Sequence, residues 1–104
     1  MKMLVHVPPM DESEIIREKI IDKISKTFDH TEDKNSHPTE TIFVSLEKSH
    51  GVFNWTFAYH YNNLHLYLHK KGTKALTTGI QGVTSLQKLF HTAIKKQRNL
   101  NFAL

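Results

Sequence analysis

The sequence predicts an α+β fold: a two-layer sandwich, β-α-β-β-β-α, with two helices on one face of a four-stranded sheet. Three observations lead there. Residues 42–68 alternate apolar and polar side chains through three runs joined by short turns, the pattern of an antiparallel meander with one buried face. Two further segments, one early and one late, carry apolar residues at helical spacing along one side. A short alternating run precedes the first of these. Each helix then has one stripe to bury and the sheet has one face to receive both. At 104 residues the chain is a single domain with room for one modest core.

Met1 to Val7 reads as the first strand, with Met3, Val5 and Val7 alternating against Lys2, Leu4 and His6. Pro8 and Pro9 end it, because proline donates no ladder hydrogen bond and restricts the residue before it. Asp11 stands as an N-cap, and Glu14 three residues on completes a D-x-x-E capping box. The helix should run from Glu12 to Phe28. Ile16, Ile20, Ile24 and Phe28 recur every four residues, and Ile15 and Ile21 widen the stripe. Lys19, Lys23 and Lys26 follow on another face, with Glu14, Glu18 and Asp22 near enough to neutralise part of them. Residues 29–40, DHTEDKNSHPTE, are polar and aperiodic, and read as a long loop returning the chain to the sheet.

In the meander, Ile42, Val44 and Leu46, then Phe53, Trp55, Phe57, Tyr59 and Tyr61, then Leu64, Leu66 and Leu68 point toward the helices. Ser49-His50-Gly51 and Asn62-Asn63 are the turns, since Gly and Asn tolerate the positive φ of tight hairpins. The opposite, open face carries Asn54, Thr56, His60, His65, Tyr67, His69 and Lys71. The strand–helix–strand crossover should be right-handed. Gly72 ends the last strand. Residues 73–82, TKALTTGIQG, are ambiguous. Leu76, Ile80 and Val83 keep helical spacing, but Gly79 and Gly82 each cost about 1 kcal/mol relative to Ala within a helix. From Val83 the helix is clear, with Val83, Leu86, Phe90 and Ile94 toward the core and Leu89 and Ala93 beside them. It should end near Gln97 or Arg98, leaving residues 99–104 as a tail that docks or moves.

Charge is segregated along the chain. Residues 1–47 hold six cations against ten acids, net −4; residues 48–104 hold eight cations and no acid, net +8. A surface of that kind suits a polyanion. Within the acid-free half, Lys88, His91, Lys95 and Arg98 follow i, i+3, i+7, i+10 on the outward side of the last helix, and Lys70, Lys71 and Lys74 lie at the end of the last strand. With the helices side by side, Lys19, Lys23 and Lys26 should share a surface with Lys88, Lys95 and Arg98. The bland reading of the last stripe is a solvated face whose cations suit a helix C-terminus.

Other classes are less well supported. The chain has no Cys, which removes disulfides, thiolate metal sites and a Cys nucleophile. The opening MKMLVHVPPM has one Lys and too short an apolar run to read as a signal peptide, and no stretch reaches the roughly 18 apolar residues of a membrane span. The expectation is a soluble cytoplasmic domain without a cofactor. His65 and His69 lie roughly 13 Å apart on one strand and cannot share an ion. His60 and His65 could meet across the hairpin, but no carboxylate close in sequence completes a metal site. A ribonuclease could draw on His60, His65, His69 and Lys71, yet nothing in the spacing sets a geometry, so no enzyme is expected. Trp55 and its row read as core; stacking on single-stranded RNA would need rings on the open face.

Three segments carry a resemblance. ESEIIREKIIDKISKTFDH, residues 12–30, is similar to the acid-capped helix ending near Tyr-Phe-Asp in the ribosome hibernation-promoting factors, the family that includes the ribosome-associated inhibitor. TIFVSLEK, residues 41–48, resembles that family's β-branched strand closing in Val-Glu-Lys. GVTSLQKLFHTAIKKQR, residues 82–98, resembles its Lys-rich final helix. The chain departs from the family in TTGIQG, residues 77–82, where members carry an acid early in the final helix, and in its third strand, heavily aromatic where members alternate with polar residues. The resemblance covers roughly residues 1–98 and implies a double-stranded-RNA-binding-like fold. It also implies a short form without a dimerisation domain, a monomer off the ribosome. The implied function is binding to small-subunit rRNA in the channel used by messenger and transfer RNA, which stops translation by occupancy. Lys23, Lys26, Lys70, Lys71, Lys74, Lys88, Lys95 and Arg98 would place charge on phosphates, joined by protonated His91. The alternative is a protein-interaction module, an immunity protein or small inhibitor, meeting its partner through His60, His65, Tyr67 and His69.

Overall fold

Six elements follow in the predicted order: β1 (Lys2–His6), α1 (Ser13–Thr27), β2 (Glu40–Ser49), β3 (Val52–Tyr61), β4 (Leu64–Gly72) and α2 (Ala75–Ala103). The computed structural model describes the backbone of residues 1–28 and 39–103, and side chains as far as Gln97. Residues 29–38 of the predicted polar loop lie outside the described residues. The four strands form one mixed sheet in the order β1-β2-β3-β4. β1 runs parallel to β2, through the helical crossover a parallel pair requires, and the other pairs are antiparallel. His50 and Gly51, both at positive φ, make the β2–β3 turn, and Asn62 at φ 53 opens the β3–β4 turn. Asn62 also ties that turn to the start of β2: its amide donates to the Thr39 carbonyl at 2.8 Å and its side-chain oxygen accepts from the Thr39 amide at 3.1 Å.

The core faces of the strands are those the alternation predicts. Ile42, Val44, Leu46, Trp55, Phe57 and Tyr59 are buried beneath Ile16, Ile20 and Ile24 of α1 and Val83, Leu86 and Phe90 of α2. Ile20 lies beside Gly79, and Phe28, just past α1, meets Phe90 edge-on at 6.2 Å, so the helices run in the same direction along the sheet. Their outer flanks are also oriented. Arg17 donates from Nε to the Val5 carbonyl at 3.3 Å, which turns that side of α1 to β1. Thr78 fills the space over Gly72, which turns that side of α2 to β4.

Both helices differ at their ends from the expectation. Asp11 does not cap α1. Glu12 occupies the cap position in the left-handed region, φ 63, with no side-chain hydrogen bond, and the Ser13 amide donates to the Met10 carbonyl at 3.2 Å. Met10 packs against the core, so an apolar anchor after the two prolines sets the start of the helix. α2 begins at Ala75, before both glycines, and continues to Ala103, beyond the end expected near Gln97 or Arg98. The glycines are tolerated because α2 needs them for packing. A Cβ on Gly79 would lie 2.7 Å from Ile20 Cδ1 and 2.8 Å from Trp55 Cε2. Trp55 Nε1 donates to the Ala75 carbonyl at 2.8 Å and fastens the first turn to β3.

Among the described residues, one acid lies inside. Glu40, the last residue of the predicted polar loop, opens β2 on the helix side and is buried. Tyr59 donates its hydroxyl to Glu40 Oε2, among the rings of Phe28, Tyr61 and Phe90. Burial pushes the Tyr59 hydroxyl far above the ordinary phenol range, and the Glu40 carboxylate adds to it. The folded state thus holds this proton more tightly than the unfolded chain. The stabilisation is complete below about pH 10 and is lost as pH rises from there toward the folded value. Tyr59→Phe should cost about 1–3 kcal/mol near neutrality, since it removes a donor from a buried carboxylate. It should also flatten the alkaline loss of stability, read from urea midpoints between about pH 8 and pH 11.

Candidate nucleic-acid interface

On the outward side of α2, Lys88, His91 and Lys95 are exposed. Seven residues return a helix to within about 20° of its starting direction, about 10 Å further along the axis. Lys88 and Lys95 therefore stand on one side with His91 between them, where His91, Gln87 and Thr92 line a shallow depression with Lys88. The side chain of Arg98 lies outside the described residues. The length of α2 bears on why these cations are there. Dipole effects fade within the last turn, and Lys88 lies about four turns before Ala103. The helix dipole thus does not account for Lys88, and the sequence from Lys48 onward holds no acid to pair with it.

α1 adds to this side. At 100° per residue, Lys23 lies well round the helix from Arg17, the residue facing β1, and so turns toward α2. Lys23 is half-buried, whereas Lys19 and Lys26 are exposed. Lys26 is partly neutralised, as the spacing predicts, by an ion pair of 2.9 Å with Asp22. Such an exposed pair is worth only a few tenths of a kcal/mol, so a phosphate can compete for Lys26. Because the helices run the same way and Phe28 meets Phe90, Lys23 and Lys26 flank the part of α2 that carries Lys88 and His91.

The cations at the end of the sheet do not form one group. Lys70 pairs in register with Trp55 and shares the helix side, half-buried; Lys71 pairs with Asn54 and belongs to the open face. Lys74 is exposed just before α2. From there to Lys88 the helix rises about 20 Å, so Lys70 and Lys74 form a separate positive end.

The open face is less polar than its sequence suggested. The register aligns Lys2, Thr41, His60 and His65 across the four strands, then Leu4, Phe43, Ala58 and Tyr67, then His6, Ser45, Thr56 and His69. Leu4, Phe43 and Tyr67 are 48, 41 and 63% exposed. His60 meets His65 across the hairpin with ring centroids 4.3 Å apart, and its Nε2 is buried without a partner among the described residues. Thr56 Oγ1 lies 3.3 Å from His69 Nδ1. Phe43 adds a ring to the open face beyond those expected from the sequence. Parity was the available signal, since Ile42 and Val44 inward puts Phe43 outward. Among the described residues no group of three His, Asp or Glu side chains is placed to hold a metal ion, and no helix is long and apolar enough to cross a membrane.

No protein-family model matches the sequence, and no curated protein matches it. The fold is similar to a solved one. The crystal structure of the N-terminal domain of Thermus thermophilus Protein Y aligns with a TM-score of 0.60 over 85% of this chain and 90% of that chain, at 9% identity. At that identity the likeness is one of architecture.

Proposed function

We propose that this domain binds the small ribosomal subunit and holds translation by occupying the channel for messenger and transfer RNA. The observation that carries the reading is the outward stripe Lys88–His91–Lys95, in a half of the sequence that holds no acid, beside the Lys23 and Lys26 flank of α1. Structured rRNA is recognised mainly through phosphates and shape, by cations held on a rigid scaffold. Two packed helices supply such a scaffold. The resemblance in residues 12–30, 41–48 and 82–98 points to the hibernation-promoting factors. The fold likeness to the N-terminal domain of Protein Y, one of those factors, supports the same reading. Binding in place requires no chemistry, only affinity and bulk, and the partner sets the compartment as the cytoplasm.

Co-sedimentation is the direct test. The protein should travel with small subunits at low salt and be released steeply as salt rises. The logarithm of affinity should fall by about 0.7–0.9 per decade of salt for each phosphate neutralised. Protein left at the top of the gradient at low salt would contradict the reading.

A further inference from the structure

We infer that the open face of the sheet is a separate binding surface for single-stranded nucleic acid, whose bases stack on the exposed rings of Phe43, His65 and Tyr67, gathered around half-buried His60. The inference rests on a different face from the helix cations and stands whether or not the ribosomal reading holds.

The cluster is built by register. His60 lies in the middle of it, with ring centroids 6.3 Å from Phe43, 4.3 Å from His65 and 6.1 Å from Tyr67. These four rings come from β2, β3 and β4, strands held by full ladders of pairing, so the surface is preformed. Between Phe43 and Tyr67 the register places Ala58. Two strand spacings separate the backbones of those ring residues, about 9.5 Å, with a low floor between. Exposed aromatic side chains of this size are costly to leave in water unless something covers them.

Charge decides what covers them. Lys2 is exposed in the same row as His60, and Lys71 is exposed one strand end away. His6, His65 and His69 are also exposed on this face, and their ring N–H groups can donate to phosphate oxygens. Among the described residues the acid on this face is Glu47, which shares the Asn54 row with Lys71, away from the rings, so the cation in the row of His60 is Lys2. Rings flanked by cations form the surface that single strands use: bases give every nucleotide a flat face to stack, and phosphates meet the positive rim. An acidic protein partner would meet the charge but leave the flat rings poorly used. A duplex would keep its bases stacked inside and out of reach.

The test uses the whole chain and a fluorescent oligouridylate of about twelve nucleotides, within the span such surfaces cover. A duplex RNA of the same length serves for comparison. Binding is followed by anisotropy at moderate salt, where phosphate contacts weaken and stacking persists. Aromatic ring signals are followed by NMR in the same titration. Phe43→Ala with Tyr67→Ala should lower single-strand affinity about tenfold or more, and Tyr67→Phe, which keeps the ring, should stay close to the parent. The ring signals of Phe43 and Tyr67 should shift on adding the single strand. Thermal unfolding checks that the exposed substitutions leave the fold intact. Parent-like single-strand affinity of the double variant would overturn the inference. So would ring signals that do not move, or equal binding of duplex and single strand. A concentration-dependent dimer that the double variant abolishes, with no change in oligonucleotide binding, would assign the face to a second copy of the chain instead. Ribosome co-sedimentation of the double variant separates the two surfaces: it should be retained whichever way the oligonucleotide result falls.

Discussion

Gly82→Ala should destabilise the fold by about 2 kcal/mol, although the same exchange at an exposed helix position stabilises it by about 1 kcal/mol. The sign reverses because of what lies beneath α2. A Cβ at residue 82 would sit 2.3 Å from Phe57 Cε2 and 2.6 Å from its Cζ. Phe57 is fully buried and stacks on Trp55, centroids 6.1 Å apart and planes 22° apart, so its ring has little room to yield. Overpacking of a tight core costs typically about 1–3 kcal/mol, and a ring closed in from both sides belongs at the upper end. The gain in helix propensity, about 1 kcal/mol, offsets only part of that. Gln81→Ala is the control, since Gln81 is exposed next door and its exchange should stay within about 0.5 kcal/mol. Urea unfolding midpoints of the two variants would show it. A Gly82→Ala protein as stable as the parent would mean that α2 lies further from the sheet than described.

Reversing two charges, Lys88→Glu with Lys95→Glu, should lower affinity for the small subunit about a hundredfold or more at low salt. Each lysine withdrawn from a phosphate reduces the salt slope by about 1, and each glutamate put in its place adds repulsion. Both positions are exposed and off the core, so stability should change by no more than about 0.5 kcal/mol per site. Gradient sedimentation at two or three salt concentrations reads both affinity and slope. Unchanged affinity would remove this surface from consideration, though the fold would still resemble that of the Protein Y domain.

Much of the architecture was legible because it rests on local periods. The alternation of Ile42, Val44 and Leu46 with their neighbours decides a buried face without knowledge of what covers it. The every-fourth isoleucines of α1 do the same. What escaped depends on partners distant in sequence. Residues 75–82 looked doubtful because glycine is penalised in a helix when nothing else is known; the compensating fact is the close approach to Trp55 and Phe57. Asp11 looked like a cap because capping is read from a four-residue pattern, whereas Met10, packed on the core, sets where the helix starts. Glu40 looked like loop because its burial depends on Tyr59, which belongs to a different strand. In the candidate interface, the helix stripe was visible from spacing alone. The half-burial of Lys23 and the separation of Lys70 from Lys71 were not, because both depend on how layers meet.

Among the described residues the sheet is open at both edges, with β1 and β4 as its outer strands. Unpaired outer strands invite pairing with other chains, and proteins blunt them with shortness, proline and charge, lysine above all. β1 has five residues and is followed by Pro8 and Pro9, while β4 closes in His69-Lys70-Lys71. Lys70 and Lys71 thus guard a margin that could otherwise nucleate aggregates, whatever they do for RNA. Their removal should lower solubility, and a loss of affinity in such a variant would not by itself assign them to the proposed interface. Lys88 and Lys95 belong to neither outer strand, so reversing them tests the proposed recognition without altering a margin.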